Sequence, residues 1–236
     1  MSSSISTSAQ TGIRLGFVTA GHRSLSRATL LLVGLSVALV VSGGIIERRV
    51  TTLGAVDRSL LSTFRLVLPL YAFAVTTAAC QRLGLREAAW SVARFGAARR
   101  DVALGMILSA VAASTLGGVI LAVFAVLSAY APSSRSLVTE LFVSGWIGGL
   151  VAAAYTAWFV LGSAFFDRGR GRWLVLLLDF FLGGGTSAIA AFFPRSHARS
   201  LLGDLGPTQF SQPQSSMALL AMLFIGSSLA LLRTRD

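Results

Sequence analysis

Apolar residues dominate six long stretches of this chain, at about residues 28–46, 60–80, 102–127, 141–166, 173–193 and 216–232. Each approaches or exceeds the ~20 residues that a helix needs to cross a hydrocarbon core of ~30 Å. None alternates polar and apolar positions as the strands of a membrane β-barrel would. The pattern therefore predicts an all-α, polytopic membrane protein with six transmembrane helices. Residues 1–27 form a Ser-rich tail whose start reads as disordered and whose Ile13–Ala20 portion suits the membrane interface; residues 28–233 form the membrane domain.

Two places break the simple pattern. The segment 81–101, QRLGLREAAWSVARFGAARRD, places Leu85, Ala88, Ala89, Val92 and Phe95 on one helical face and Glu87, Ser91, Arg94 and Asp101 on another. That is an amphipathic helix over 85–101 between spans two and three, suited to a membrane interface or to a partner's groove. Gly96 would weaken or break it. The fifth stretch is interrupted by Gly183, Gly184 and Gly185 and followed by Pro194. Three glycines cost a helix about 1 kcal/mol each relative to alanine. Either the span breaks there and continues as a re-entrant element through Leu202, or the glycines serve close helix packing. Gly117-Gly118, and Gly145 and Gly149 at GxxxG spacing, supply further small faces, within the chain or between chains.

Composition agrees with the membrane reading: 54% of residues are hydrophobic, only 12% are charged, and the mean hydropathy is +0.76. All 20 basic residues are arginine, giving a net charge of +11. They alternate in number from one intervening segment to the next. Thirteen fall in the N-terminal tail, in 81–101, in the loop with Arg168, Arg170 and Arg172, and after the last span; six fall in the remaining loops, and Arg65 lies within a span. Such a bias predicts both termini in the cytoplasm. The charge then reports topology and attraction to anionic membrane lipids rather than nucleic acid.

Chemistry is sparse. Cys80 is the single cysteine, and no HExxH or GxxxxGK[ST] motif occurs, so neither a metal site nor an ATP site is expected. No catalytic residue is expected either; Ser144 lies in FVSG, and the sixth span lacks the histidine that a rhomboid-type serine protease would need. Two ionisable residues fall inside spans, Arg65 and Asp179. Arg65 can snorkel outward. Asp179 cannot, so it needs an internal partner, water or a proton, and it is the candidate for a transport pathway or proton site.

With this layout the chain resembles the membrane subunits of ABC exporters of the type-2 class. The stretch PLYAFAVTTAACQRLGLREAAWSVARFGAARRDVALG runs from a Pro-containing second span into Glu87, an apolar helix, Gly96 and the basic pair Arg99 and Arg100. The 182–202 region, with its glycines, Pro194 and His197, is similar to the broken fifth span of such permeases. The resemblance implies a permease dimer, homomeric or heteromeric, in the bacterial inner membrane. It implies a separate ATP-binding subunit that binds ATP and Mg, and coupling through Glu87, Trp90, Arg94, Phe95, Arg99 and Arg100. Two other readings stay open: a membrane scaffold or assembly protein, and a secondary transporter using Asp179.

Overall fold

The computed structural model describes residues 2–51, 54–94, 96–131, 136–185, 188–203 and 210–234. Among them there is no strand. Five helices are long and apolar enough to cross a membrane. They are α2 (Arg27–Val50), the run of α3 (Ala55–Ser62), a π-helical turn (Thr63–Val67) and α4 (Leu68–Ala79), then α6 (Arg99–Ala129), α7 (Leu137–Ser163) and α10 (Gln212–Leu232). The sixth expected span is not among them. Over 173–193 the chain instead forms α8 (Gly171–Leu182), a turn at the glycines and a 3-10 segment, Ala188–Phe192. The 12 residues of α8 reach roughly 18 Å, too short for a hydrocarbon core. The chain returns through α9 (Pro194–Leu201) before α10.

At the centre stands α7. Its apolar residues run all round the helix, and 17 of its 27 residues are buried, as expected of a helix surrounded by protein. It crosses α6 where Gly148 meets Gly118: a Cβ added at Gly148 would lie 2.6 Å from the Gly118 carbonyl oxygen. Gly117, next along, gives its space to the Tyr71 ring from α4, whose hydroxyl donates to the Ala113 carbonyl at 3.1 Å. The glycine-rich faces are thus used within the chain. By contrast, α2 and α10 bury little and expose Leu31, Leu35, Met217 and Phe224, as lipid-facing helices do.

The N-terminal tail departs from expectation. It forms α1 (Ser2–Ser24), which lies along the first third of α6 rather than remaining without structure. Glycine permits the approach: a Cβ at Gly105 would sit 2.7 Å from the Phe17 nitrogen. The first turns of α6 are sheathed by α1 and by the short helix α5 (Leu85–Ala93).

A second core forms at this end of the bundle. Leu85, Ala88, Ala89 and Val92 of α5 pack among Cys80, Met106, Val160 and Ala230. These are the positions that periodicity placed on the apolar face. The helix is shorter than expected, ending at Ala93, and Gly96 turns the chain with φ of +100°, a conformation that glycine adopts without strain. Arg99 and Arg100 consequently belong to the first turn of α6, not to the amphipathic helix.

Candidate functional site

Two features meet the criteria for function: the break in the fifth segment and the basic end around α5. Where α8 stops, the last carbonyls of the helix lose their intrahelical partners. A buried carbonyl without a donor is costly. Arg195 of α9 supplies the donors. Its Nη1 donates to the Phe180 carbonyl at 3.0 Å and to the Asp179 carbonyl at 3.5 Å. Its Nη2 donates to the Arg65 carbonyl at 3.1 Å, inside the π turn of the second span. Arg199, one turn on, donates to the Gly184 carbonyl at 3.1 Å. A cation at a helix C-terminus is also favoured by the aligned peptide dipoles. One guanidinium therefore joins three segments: α8, α9 and the π turn.

Asp179 lies in the same cluster. Its Oδ2 accepts a 3.0 Å hydrogen bond from the Tyr155 hydroxyl of α7. Oδ1 is buried and has no hydrogen-bond partner among the described residues. Gly183 separates Asp179 from Arg195: a Cβ there would be 2.9 Å from Oδ1 and 3.1 Å from the Arg195 Cβ. Burial is deep, with Tyr155 at 0%, Asp179 at 2% and Arg195 at 3% exposure. α8 stops at Leu182, Gly183, Gly184 and Gly185 follow it as a turn, and Pro194 opens α9, where its missing N–H costs nothing. Seven of the eight residues of α9 are buried despite its polar sequence. His197, 1% exposed, donates from Nε2 to the Ala191 carbonyl at 2.8 Å. A pocket of about 580 Å³ opens beside the cluster, walled by Phe64, Arg65, Phe180, Arg195 and Arg199.

Asp179 is a candidate in the sequence, whereas Tyr155 and Arg195, which it meets in the fold, are not. Arg195 counted as a loop arginine in the charge tally, and Tyr155 was hidden in an apolar run. Only the need of Asp179 for an internal partner pointed to them. Arg65 itself is exposed, consistent with a snorkelling side chain, and contributes its carbonyl to the cluster.

At the basic end, the Gly84 N–H donates to Glu87 Oε2 at 3.1 Å and so starts α5, which gives Glu87 a capping role as well as an exposed position. Trp90 is 54% exposed, unusual for a large aromatic on a helix whose other face is core. Glu87, Trp90 and Arg99 border a pocket of about 650 Å³ with Phe166, Asp167 and Arg233. Arg94 follows α5 as its C-cap residue, and both it and Arg100 are exposed; Phe95 lies outside the described residues.

The two features are connected by Arg172, another arginine that charge counting alone had assigned to topology. It is 2% exposed, and its guanidinium donates to the carbonyls of Gly169 at 3.2 Å, Thr76 at 3.4 Å and Leu83 at 2.5 Å. It thereby ties the turn that precedes α5 to the first turn of α8, seven residues before Asp179. Around this clamp Gln81, Arg82, Phe166 and Arg168 all hold positive φ, between 53° and 63°. Each costs a non-glycine residue about 1–3 kcal/mol, and such strain gathers where surrounding structure over-determines the backbone.

Among the described residues no group of three or more metal-ligating side chains occurs. No protein-family model, curated protein or solved structure matches the chain.

Proposed function

We propose that this chain is the permease subunit of an ATP-driven exporter. It works as a homodimer or as a heterodimer with a second permease, in the bacterial inner membrane with both termini in the cytoplasm. ATP and Mg are held by a separate ATPase subunit. That subunit docks on the exposed face of α5, with Trp90 as apolar anchor and Glu87, Arg94, Arg99 and Arg100 as charged contacts.

The observation that supports this reading most is the connection from α5 to the break. A displaced α5 pulls on the 81–84 turn, whose Leu83 carbonyl is held by Arg172 at the root of α8. The far end of α8 carries Asp179 and the Arg195 clamp. A rigid element joins the docking face to the discontinuous part of the membrane domain. Work is done only if the ATPase binds the two ends of this motion with different affinity.

Purification of the tagged chain from native membranes in mild detergent tests the reading. A near-stoichiometric ATP-binding subunit is the expected outcome, and its absence across several detergents overturns it. Trp90→Asp is expected to lower export and the stimulated ATPase rate of the complex at least about tenfold, a loss of ~1.4 kcal/mol of coupling. Melting temperature and membrane insertion should stay unchanged, since the side chain is half exposed. Wild-type export by that variant would remove α5 from the mechanism.

The unpartnered Oδ1 of Asp179 favours a second reading, a secondary transporter that protonates this carboxylate. Flux that persists without ATP and disappears in Asp179→Asn would select it.

A further inference from the structure

A pocket of about 900 Å³ lies at the basic end, between the start of α2, the end of α4 and the start of α8. Its rim carries five arginines, Arg23, Arg82, Arg168, Arg170 and Arg172, and none of its lining residues is acidic. Arg172 is spent on backbone carbonyls, and Arg23 donates one bond to the Ala79 carbonyl at 3.3 Å. Arg82, Arg168 and Arg170 are exposed. Arg82 and Arg168 are also held at φ of 62° and 56°, so the backbone itself departs from ordinary geometry at two of the three exposed positions.

The rest of the pocket is of the opposite character. Leu32, Leu70 and Phe73 form an apolar wall beside the arginines, and Trp173 stands against Phe73 with ring centroids 4.6 Å apart. Trp173 is 59% exposed, as an aromatic at the headgroup level would be. Between the two zones the Thr77 hydroxyl is buried with no partner among the described residues. A free inorganic anion would use the arginines and leave the apolar wall bare; a neutral lipid would use the wall and leave the arginines unmatched. Basic pockets between membrane helices suit anionic lipid headgroups.

We propose that this pocket is a binding site for an anionic phospholipid, its phosphate among Arg82, Arg168 and Arg170 and an acyl chain along Leu32, Phe73 and Trp173. The site is independent of whether an ATPase docks on α5. Because it joins α2, α4 and α8, occupancy would hold those helices together at the end where the Arg172 clamp operates.

The test uses the full chain in neutral detergent, titrated with fluorescent phosphatidylglycerol and, separately, with fluorescent phosphatidylcholine. Phosphatidylglycerol is expected to bind at least about tenfold more tightly. The triple variant Arg82→Gln, Arg168→Gln, Arg170→Gln should lose that preference. The corresponding triple lysine variant should retain most of it, which separates loss of charge from loss of fold. Arg48→Gln with Arg49→Gln, at the opposite end of α2, should bind as wild type. Equal affinity for the two lipids, or an equal loss in the Arg48 and Arg49 variant, overturns the proposal. Full displacement of the lipid by millimolar inorganic phosphate overturns it too, because the ligand would then be the free anion.

Discussion

Arg195→Ala is expected to destabilise the protein by about 3–5 kcal/mol, the usual cost of removing one partner from a buried charged cluster. Three carbonyls, those of Asp179, Phe180 and Arg65, lose their side-chain donor at once. The Asp179 carboxylate also loses the neighbouring cation while remaining almost wholly buried. Thermal unfolding in detergent should show a fall in midpoint on the order of 10 °C for a chain of this size. Arg195→Lys should recover only part of it. A lysine restores the charge, but it lacks the planar fork that reaches carbonyls on two separate segments. Asp179→Asn should cost less than either, because an amide oxygen can still accept from Tyr155.

The double variant Asp179→Leu, Arg195→Met separates two accounts of the cluster. If charge pairing is what matters, removing both charges should restore stability, as it does at many buried ion pairs. If capping of the broken helix is what matters, the double variant stays unstable, since the Phe180 carbonyl loses its donor while the Asp179 carbonyl keeps only the Gly183 N–H. We expect the second result. A double variant that melts within about 2 °C of wild type would show that the arginine is there for the aspartate and not for the backbone.

The features legible in the sequence are those set by local spacing. Length and hydropathy located α2, α6, α7 and α10, because burial in lipid demands long apolar runs whatever the tertiary fold. Spacing also identified Leu85, Ala88, Ala89 and Val92 as one face, and those four side chains are buried. Gly96 stands in the sequence as a helix breaker, and it turns the chain with positive φ. What spacing could not supply was the choice of partner. Arg195, Ser196, His197 and Arg199 carry no apolar pattern of their own, and a charge tally places both arginines in a loop. In the fold their polarity is consumed by the orphan carbonyls of a broken helix, a demand that exists only once α8 has stopped short. The N-terminal tail misled for a related reason. Its weak apolar pattern hides a glycine-lined contact that depends on the matching Gly105 of α6.

Gly148→Ala is expected to destabilise the bundle by about 2–3 kcal/mol, the cost of overpacking a close contact, while Gly145→Ala is expected to be neutral or slightly stabilising. Both lie on α7 three residues apart, and both substitutions improve helix propensity by about 1 kcal/mol. They differ in what the new methyl meets. At Gly148 it would be 2.6 Å from the Gly118 carbonyl oxygen and 2.8 Å from the Ala122 Cβ, and neither backbone nor Cβ can rotate away. The two central helices must separate along their crossing, and dispersion contacts weaken steeply with each fraction of an ångström. At Gly145 the nearest atom is the Val119 Cγ1 at 3.5 Å, an ordinary contact. The GxxxG pair of the sequence, Gly145 and Gly149, is therefore offset from the closest approach, which belongs to Gly148. Thermal unfolding of the two alanine variants, side by side in one detergent, checks this. A Gly148→Ala protein that melts at or above wild type would mean that the α6–α7 crossing has room for a methyl group, and that the glycines of α7 are kept for a contact outside this chain.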